Sequence, residues 1–290
     1  MRKFRLHGFV VTFFVGSYSV MAPDVKAQVE CGTEVIIDVE LTEDLGPCSG
    51  PGSAITIRGP ARLNLNGFSV TCDTDAPPSA GVELTGQGAE LYDGVVKDCR
   101  PSVLLSGPGQ HSVAGVLSTN NFQGAGFRVD EGSNKNRLIE NAATNCDPGF
   151  DVRGEKSTLS YNPATGNDDC GFEVRGSRHM LRGNVSALND VGGFCVEGSE
   201  HKLSRNVALG PLGYYVLGIG HQLDQNKAYG ASGLGIENHA EYSTFSGNVS
   251  LGHDTDLVDL QLDCDGNLWT RNLFGTSKVY DGTGDQTCIE

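Results

Sequence analysis

The chain has 290 residues, a formal net charge of −15 and 40 glycines, with 38% hydrophobic, 7% aromatic and 20% charged residues. Glycine at about twice its usual ~7% share, without the strict three-residue period of collagen, indicates a fold rich in turns. The acidic balance argues against nucleic acid or an anionic membrane surface as partner, and the body of the chain has no apolar stretch of ~18 residues that would span a bilayer.

Arg2, Lys3 and Arg5 open the chain, Gly8 to Ala22 is apolar, and Val25-Lys26-Ala27 offers small residues at the cleavage-determining positions. This pattern predicts a secretory signal over residues 1–27 and a secreted, monomeric domain over 28–290. The mature part keeps 17 basic against 35 acidic residues and all nine cysteines. An oxidising compartment favours pairing. Cys31 with Cys48 closes the N-terminal end, Cys72 with Cys99 links adjacent coils, and Cys264 with Cys288 closes the C-terminal end. Cys146, Cys170 and Cys195 remain, so at least one thiol is unpaired. No C-x-x-C pair supports a zinc site.

Two repeats run in step. The first places Asn at 141, 162, 184, 206, 226, 248 and 272, each five residues after a turn residue such as His179, His201 or His221. The second reads Gly-Phe-x-Val at Gly126, Gly149, Gly171 and Gly193, and continues as Gly213-Tyr-Tyr-Val216 and Gly233-Leu-Gly-Ile236. Short alternating strands, polar turns and a repeat of about 22 residues predict an all-β parallel β-helix of about ten coils. Coils stack at ~4.8 Å, the spacing of neighbouring strands. Residues 28–50 form an N-terminal cap and about 270–290 a C-terminal one, covering exposed sheet edges. A turn Asn that tolerates unusual φ/ψ and bonds neighbouring backbone explains the Asn column. Asn184-Val-Ser and Asn248-Val-Ser match the glycosylation sequon, but their ladder position predicts no glycan.

Cys31-Gly-Thr, Leu41-Thr-Glu-Asp-Leu-Gly-Pro-Cys48 and Leu63-Asn-Leu-Asn-Gly67 resemble secreted right-handed parallel β-helix proteins of the pectate-lyase-like superfamily. Asp263-Cys-Asp-Gly-Asn267, Trp269 and Asn272-Leu-Phe-Gly-Thr276 are similar to their C-terminal signature. The resemblance implies that fold, and a superfamily of polysaccharide lyases, glycoside hydrolases, uronate epimerases, esterases and non-catalytic members.

With Phe and Val facing inward, the other positions form two outward columns. One reads Arg128, Asp151, Glu173, Cys195, Tyr215; the other Asp130, Arg153, Arg175, Glu197, Leu217. Arg153, Arg175, Asp151, Glu173 and Tyr215 are the catalytic candidates. Arg153 or Arg175 neutralises a uronate carboxylate, and a neighbouring Tyr, Lys or His takes the C5 proton, with Tyr214 and Tyr215 one to two coils along. Paired carboxylates such as Asp151 and Glu173 suit hydrolysis instead. Arg128, Asp130, Glu197 and Tyr214 are the binding candidates. The predicted function is a polysaccharide lyase or related uronate-directed enzyme acting on an acidic polysaccharide. The alternatives are a non-catalytic binding or structural β-helix, and a cyclase or isomerase for a small-molecule substrate. No cofactor is required; calcium is admitted. Asn167-Asp168-Asp169 resembles the paired-Asp motif of polygalacturonases, but Gly192-Gly193-Phe194 stands where that family has its His. Histidines 179, 201 and 221 read as turn residues rather than metal ligands. Asp254, Asp256, Asp259, Asp263 and Asp265 read as a solvated acidic face.

Overall fold

The computed structural model describes residues 29–121, 123–261, 266–279 and 289. They form a parallel β-solenoid of about eleven turns, with no helix that could cross a membrane. The expected signal segment and the Cys264–Cys288 pair lie outside the described residues.

One sheet has twelve strands, running from Thr33–Val35 to Ser277–Val279. It contains the Gly-Phe-x-Val segments Phe127–Val129, Phe150–Val152, Phe172–Val174 and Phe194–Ser199, followed by Leu212–Ile219 and Leu234–Glu241. Two further walls complete each coil. One stacks Leu138, Leu159, Leu181, Leu203, Leu223, Phe245 and Trp269 inward, all at most 1% exposed. The other presents small residues, Ala143, Ala164, Ser186, Ala208, Ala228 and Ser250.

The small wall leaves room for the aromatic column. Phe127, Phe150, Phe172, Phe194 and Tyr214 stack at 4.8 to 4.9 Å between ring centroids, nearly parallel. Each buried ring removes apolar surface worth about 2 kcal/mol from water. Tyr214, expected at a binding face, is therefore a core residue. It is fully buried, and its hydroxyl donates to the carbonyl of Lys227 at 3.3 Å. The glycine before each aromatic is required by close approach. A Cβ on Gly149 would lie 2.7 Å from the carbonyl oxygen of Gly171, and one on Gly213 would lie 2.4 Å from that of Gly235.

Two polar columns close the corners. Each buried Asn of the series 141 to 248 accepts, on its side-chain oxygen, the N–H of the matching residue one coil back. Its amide donates to the next Asn and to a carbonyl, as Asn184 does to Asn206 and to Leu159. The second column runs His111, Asn136, Ser157, His179, His201, His221, Ser243, with the same acceptor role. The unusual backbone falls one residue earlier than expected. Glu140, Tyr161, Arg205, Gln225 and Arg271, each just before a ladder Asn, have φ of 54 to 58°. The ladder bonds offset the ~1–2 kcal/mol that each left-handed residue costs.

Disulfides join Cys31 to Cys48, Cys72 to Cys99 and Cys170 to Cys195, leaving Cys146 buried and free. The expected solvated acidic face holds at Asp254, which is exposed, and is corrected at two others. Asp256 and Asp259 are buried, and their oxygens are filled by donors. Asp259 accepts from Asn238, Gln261, Asn267 and the indole of Trp269. Asp256 accepts from the backbone of His253, Gly275 and Thr276. Asp263 and Asp265 lie outside the described residues.

Candidate functional site

The register brings Arg128, Asp151, Glu173, Cys195 and Tyr215 into one column on the outer face of the twelve-stranded sheet. Three arginines and four carboxylates interlock there. Arg153 donates to both oxygens of Asp151, at 3.0 and 2.9 Å. Arg128 sits between Asp130 at 3.2 Å and Asp151 at 3.7 Å. Arg175 pairs closely with Glu173 and lies 3.7 Å from Glu197 and 3.9 Å from Asp151.

The carboxylates are not equivalent. The Asp151 side chain is 5% exposed, and its oxygens are engaged by guanidinium groups. The bond from Asp151 holds the Arg153 guanidinium more firmly protonated than usual. Burial pushes the Glu173 carboxyl up, against the pull of Arg175, so it keeps its proton to higher pH than an ordinary glutamate.

Beside this lattice lies a concavity of about 330 Å³. Glu173, Arg175, Glu197, Tyr215, Leu212 and Val191 line it, and the Cys170–Cys195 disulfide forms part of the wall. Asp169 also lines it, while Asn167 is a buried ladder residue that bonds Asn189. A larger open hollow of about 670 Å³ lies near the N-terminal end, lined by Arg62, Asn64 and Tyr92 among others. There Glu90 already accepts from both Arg62 and the Tyr92 hydroxyl. The smaller concavity is the better site, because it collects a carboxyl of raised pKa, an accessible guanidinium and a phenol.

Sequence reasoning missed Glu237 and His239. They continue the two columns opposite Tyr215 and Leu217. The true frame of that coil is Gly235-Ile236-Glu237-Asn238, two residues beyond the expected Gly233 start. The His179, His201 and His221 rings are buried and stacked. Each accepts a backbone N–H on Nδ1 and lies 2.9 to 3.1 Å from a carbonyl through Nε2. Burial holds all three pKa values down, that of His201 to about 3.

The sequence matches, over residues 64–287, the family described as NosD, periplasmic copper-binding protein. A search of curated proteins finds no match. The fold is similar to the Dettilon tailspike protein gp208, with TM-score 0.60 and 11% identity over 87% of this chain and 60% of that one. It is also similar to pectate lyase Pel9A, with TM-score 0.53 and 16% identity over 88% of this chain and 71% of that one. The chain thus spans less than two thirds of the tailspike, and at these identities the likeness is one of fold. The three disulfides agree with the oxidising compartment that a periplasmic family implies.

Copper favours converging imidazole, thiolate or thioether donors. Among the described residues no three His, Cys, Asp or Glu side chains converge. The ladder imidazoles spend both nitrogens on backbone groups, six cysteines are in disulfides, and Cys146 is buried between Ser118 and Asn121. The described residues do not fit a copper centre.

Proposed function

We propose that this chain, which belongs to the NosD family, is a secreted protein that binds acidic polysaccharide along its long sheet and acts on a uronate unit beside Arg175. The meeting of Arg175, Glu173 and Tyr215 on one concavity carries this reading. Its volume lies within the ~300–1,000 Å³ usual for ligand sites.

The chemistry that suits these groups is β-elimination. Arg175 pairs with the substrate carboxylate and so acidifies the C5 proton. Tyr215, as phenolate, takes that proton, and the released electron pair forms the C4–C5 double bond. The C4–O bond breaks, and Glu173, favoured in its protonated form by burial, gives its proton to the departing oxygen. Asp151 serves by holding Arg153, Arg128 and Arg175 in place. Hydrolysis by the pair Asp151 and Glu173 is disfavoured, because one of the two carboxylates is enclosed by arginine.

The test is a screen against pectate, alginate and glycosaminoglycans, with and without calcium, reading the absorbance of unsaturated uronate. Product that is lost in Arg175→Ala supports the assignment. No product from any polymer overturns the enzymatic part. Retention on a polysaccharide gel would then mark a non-catalytic binder, a reading favoured by the pairing of all three arginines with carboxylates of the same face.

A further inference from the structure

One carboxylate–imidazole pair on the outer face has no part in the chemistry above. Nε2 of His239 lies 2.8 Å from Oε1 of Glu237. An ionised carboxylate only accepts, so the pair places the proton on Nε2 and leaves the Nδ1 lone pair open. The imidazole centroid is 5.1 Å from that of the Tyr215 ring, tilted by 48°. The pair is 28% and 18% exposed, in a setting that strengthens polar contacts. Among the described histidines, only His239 has its ring on the surface; His111, His179, His201, His221 and His253 are buried.

The cross-strand neighbours of the pair are uncharged, and one further carboxylate lies on its own strand. Across the strands, His239 has Leu217 on one side, and Glu237 has Tyr215 on one side and Val258 on the other. Glu241 lies further along the same strand. Tyr215 faces Glu237 and His239 on one side. On the other it faces the disulfide-bonded Cys195 and Glu197, with Asp169, Glu173 and Arg175 around the concavity.

We infer that His239, oriented by Glu237, is a positioning residue that prepares Tyr215 as the base. The inference rests on the reading of Tyr215 as proton acceptor. The phenol proton passes to Nδ1 of His239, directly or through one water, giving phenolate and imidazolium. Glu237 stabilises the imidazolium. Once the phenolate has taken the C5 proton and Glu173 has lost its own, the imidazolium proton leaves to solvent and Glu173 regains one from solvent, which closes the cycle.

The experiment reads the His239 ring nitrogens by NMR in the purified full chain, with His239→Gln assigning the resonances. Nε2 is expected to carry the proton in the wild type, and the Nδ1 resonance is expected to move downfield in Tyr215→Phe, where the phenol that donates to it is gone. On any polymer that yields product, His239→Gln is expected to lower kcat about 100-fold or more with KM nearly unchanged. It is also expected to remove the acidic limb of the pH profile. Tyr215→Phe/His239→Gln should be no slower than Tyr215→Phe alone. An Nδ1 resonance unchanged by Tyr215→Phe overturns the inference whether or not product forms, and so do additive rate losses. A shifted Nδ1 resonance without product from any polymer supports the pairing and overturns the uronate reading instead.

Discussion

Replacing His201 by serine isolates one rung of the buried ladder. Serine already fills equivalent rungs at Ser157 and Ser243, where its hydroxyl accepts the N–H of Asn136 and of His221. The backbone bond therefore survives while the titratable ring is removed. The His201 pKa falls from 6.5 to about 3, first by burial and then by the neighbouring His179, with the bond to the Glu197 carbonyl opposing. The unfolded chain takes up this proton near pH 6.5, whereas the folded ring refuses it until about pH 3. Stability from this group is thus complete above 6.5 and declines as pH falls towards 3. Linkage costs about 1.4 kcal/mol per pH unit for each such proton, hence about 4–5 kcal/mol over the window. His111, His179 and His221 are shifted in the same direction, also by burial. Urea unfolding of both proteins between pH 7 and 4.5, followed through the buried Trp269, gives the slope of stability against pH. The slope for His201→Ser should be shallower by about 1 kcal/mol per pH unit. Lost ring packing costs a further ~2–3 kcal/mol in the variant, but that offset does not change with pH. Equal slopes would refute a ladder that stays neutral in the folded state.

Asn184→Ala leaves the N–H of Asn162 and the carbonyl of Leu159 without their ladder partner. At about 1–3 kcal/mol for each buried orphan, the loss should be about 3–5 kcal/mol by urea unfolding. Asp151→Asn keeps the shape but removes the charge that Arg153 grips at two points. It should cost about 1–3 kcal/mol, and the cost should shrink when Arg153 is also replaced. Folded protein from a glycosylating secretory host should carry no glycan on Asn184 or Asn248 by intact mass, since both amides donate inside the ladder. His239→Gln should leave copper uptake, measured by elemental analysis, unchanged; a loss would place the metal on the outer face.

The inward half of this fold was legible because every coil must solve the same packing problem. Phe over Phe and Leu over Leu recur at one coil's spacing, so the repeat survives in the sequence. Register failed where the packing changed. Gly233 and Gly235 are two residues apart, and an alternating pattern fits either. Only the backbone distinguishes them: Gly235 continues the column in which Gly213 has no room for a Cβ. Asn238, occupying the slot of Val216, added to the ambiguity, because a polar residue facing inward reads as a turn. Its amide is satisfied by Ala240 and Asp259, a partnership made by the following coil. Glu237 and His239 were lost with that frame. Cys170 and Cys195 were equally hidden, because their pairing depends on a corner residue of one coil reaching an outer position of the next.

The same logic explains why regularly spaced histidines here do not make a metal site. A ladder rung must accept an N–H from the preceding coil and, where it can, donate to a carbonyl within its own corner. Asn does this with amide oxygen and nitrogen, as Asn136 does with Ser133. Neutral His does it with Nδ1 and Nε2, as His201 does with His179 and Glu197. Ser supplies the acceptor at least. The three residue types therefore interchange along one column without changing its geometry. A metal would have to compete for lone pairs already committed to backbone N–H groups, inside a corner closed to solvent. The outer columns carry no such obligation, and there Tyr215, Glu173 and His239 lie within a few strand spacings of one another.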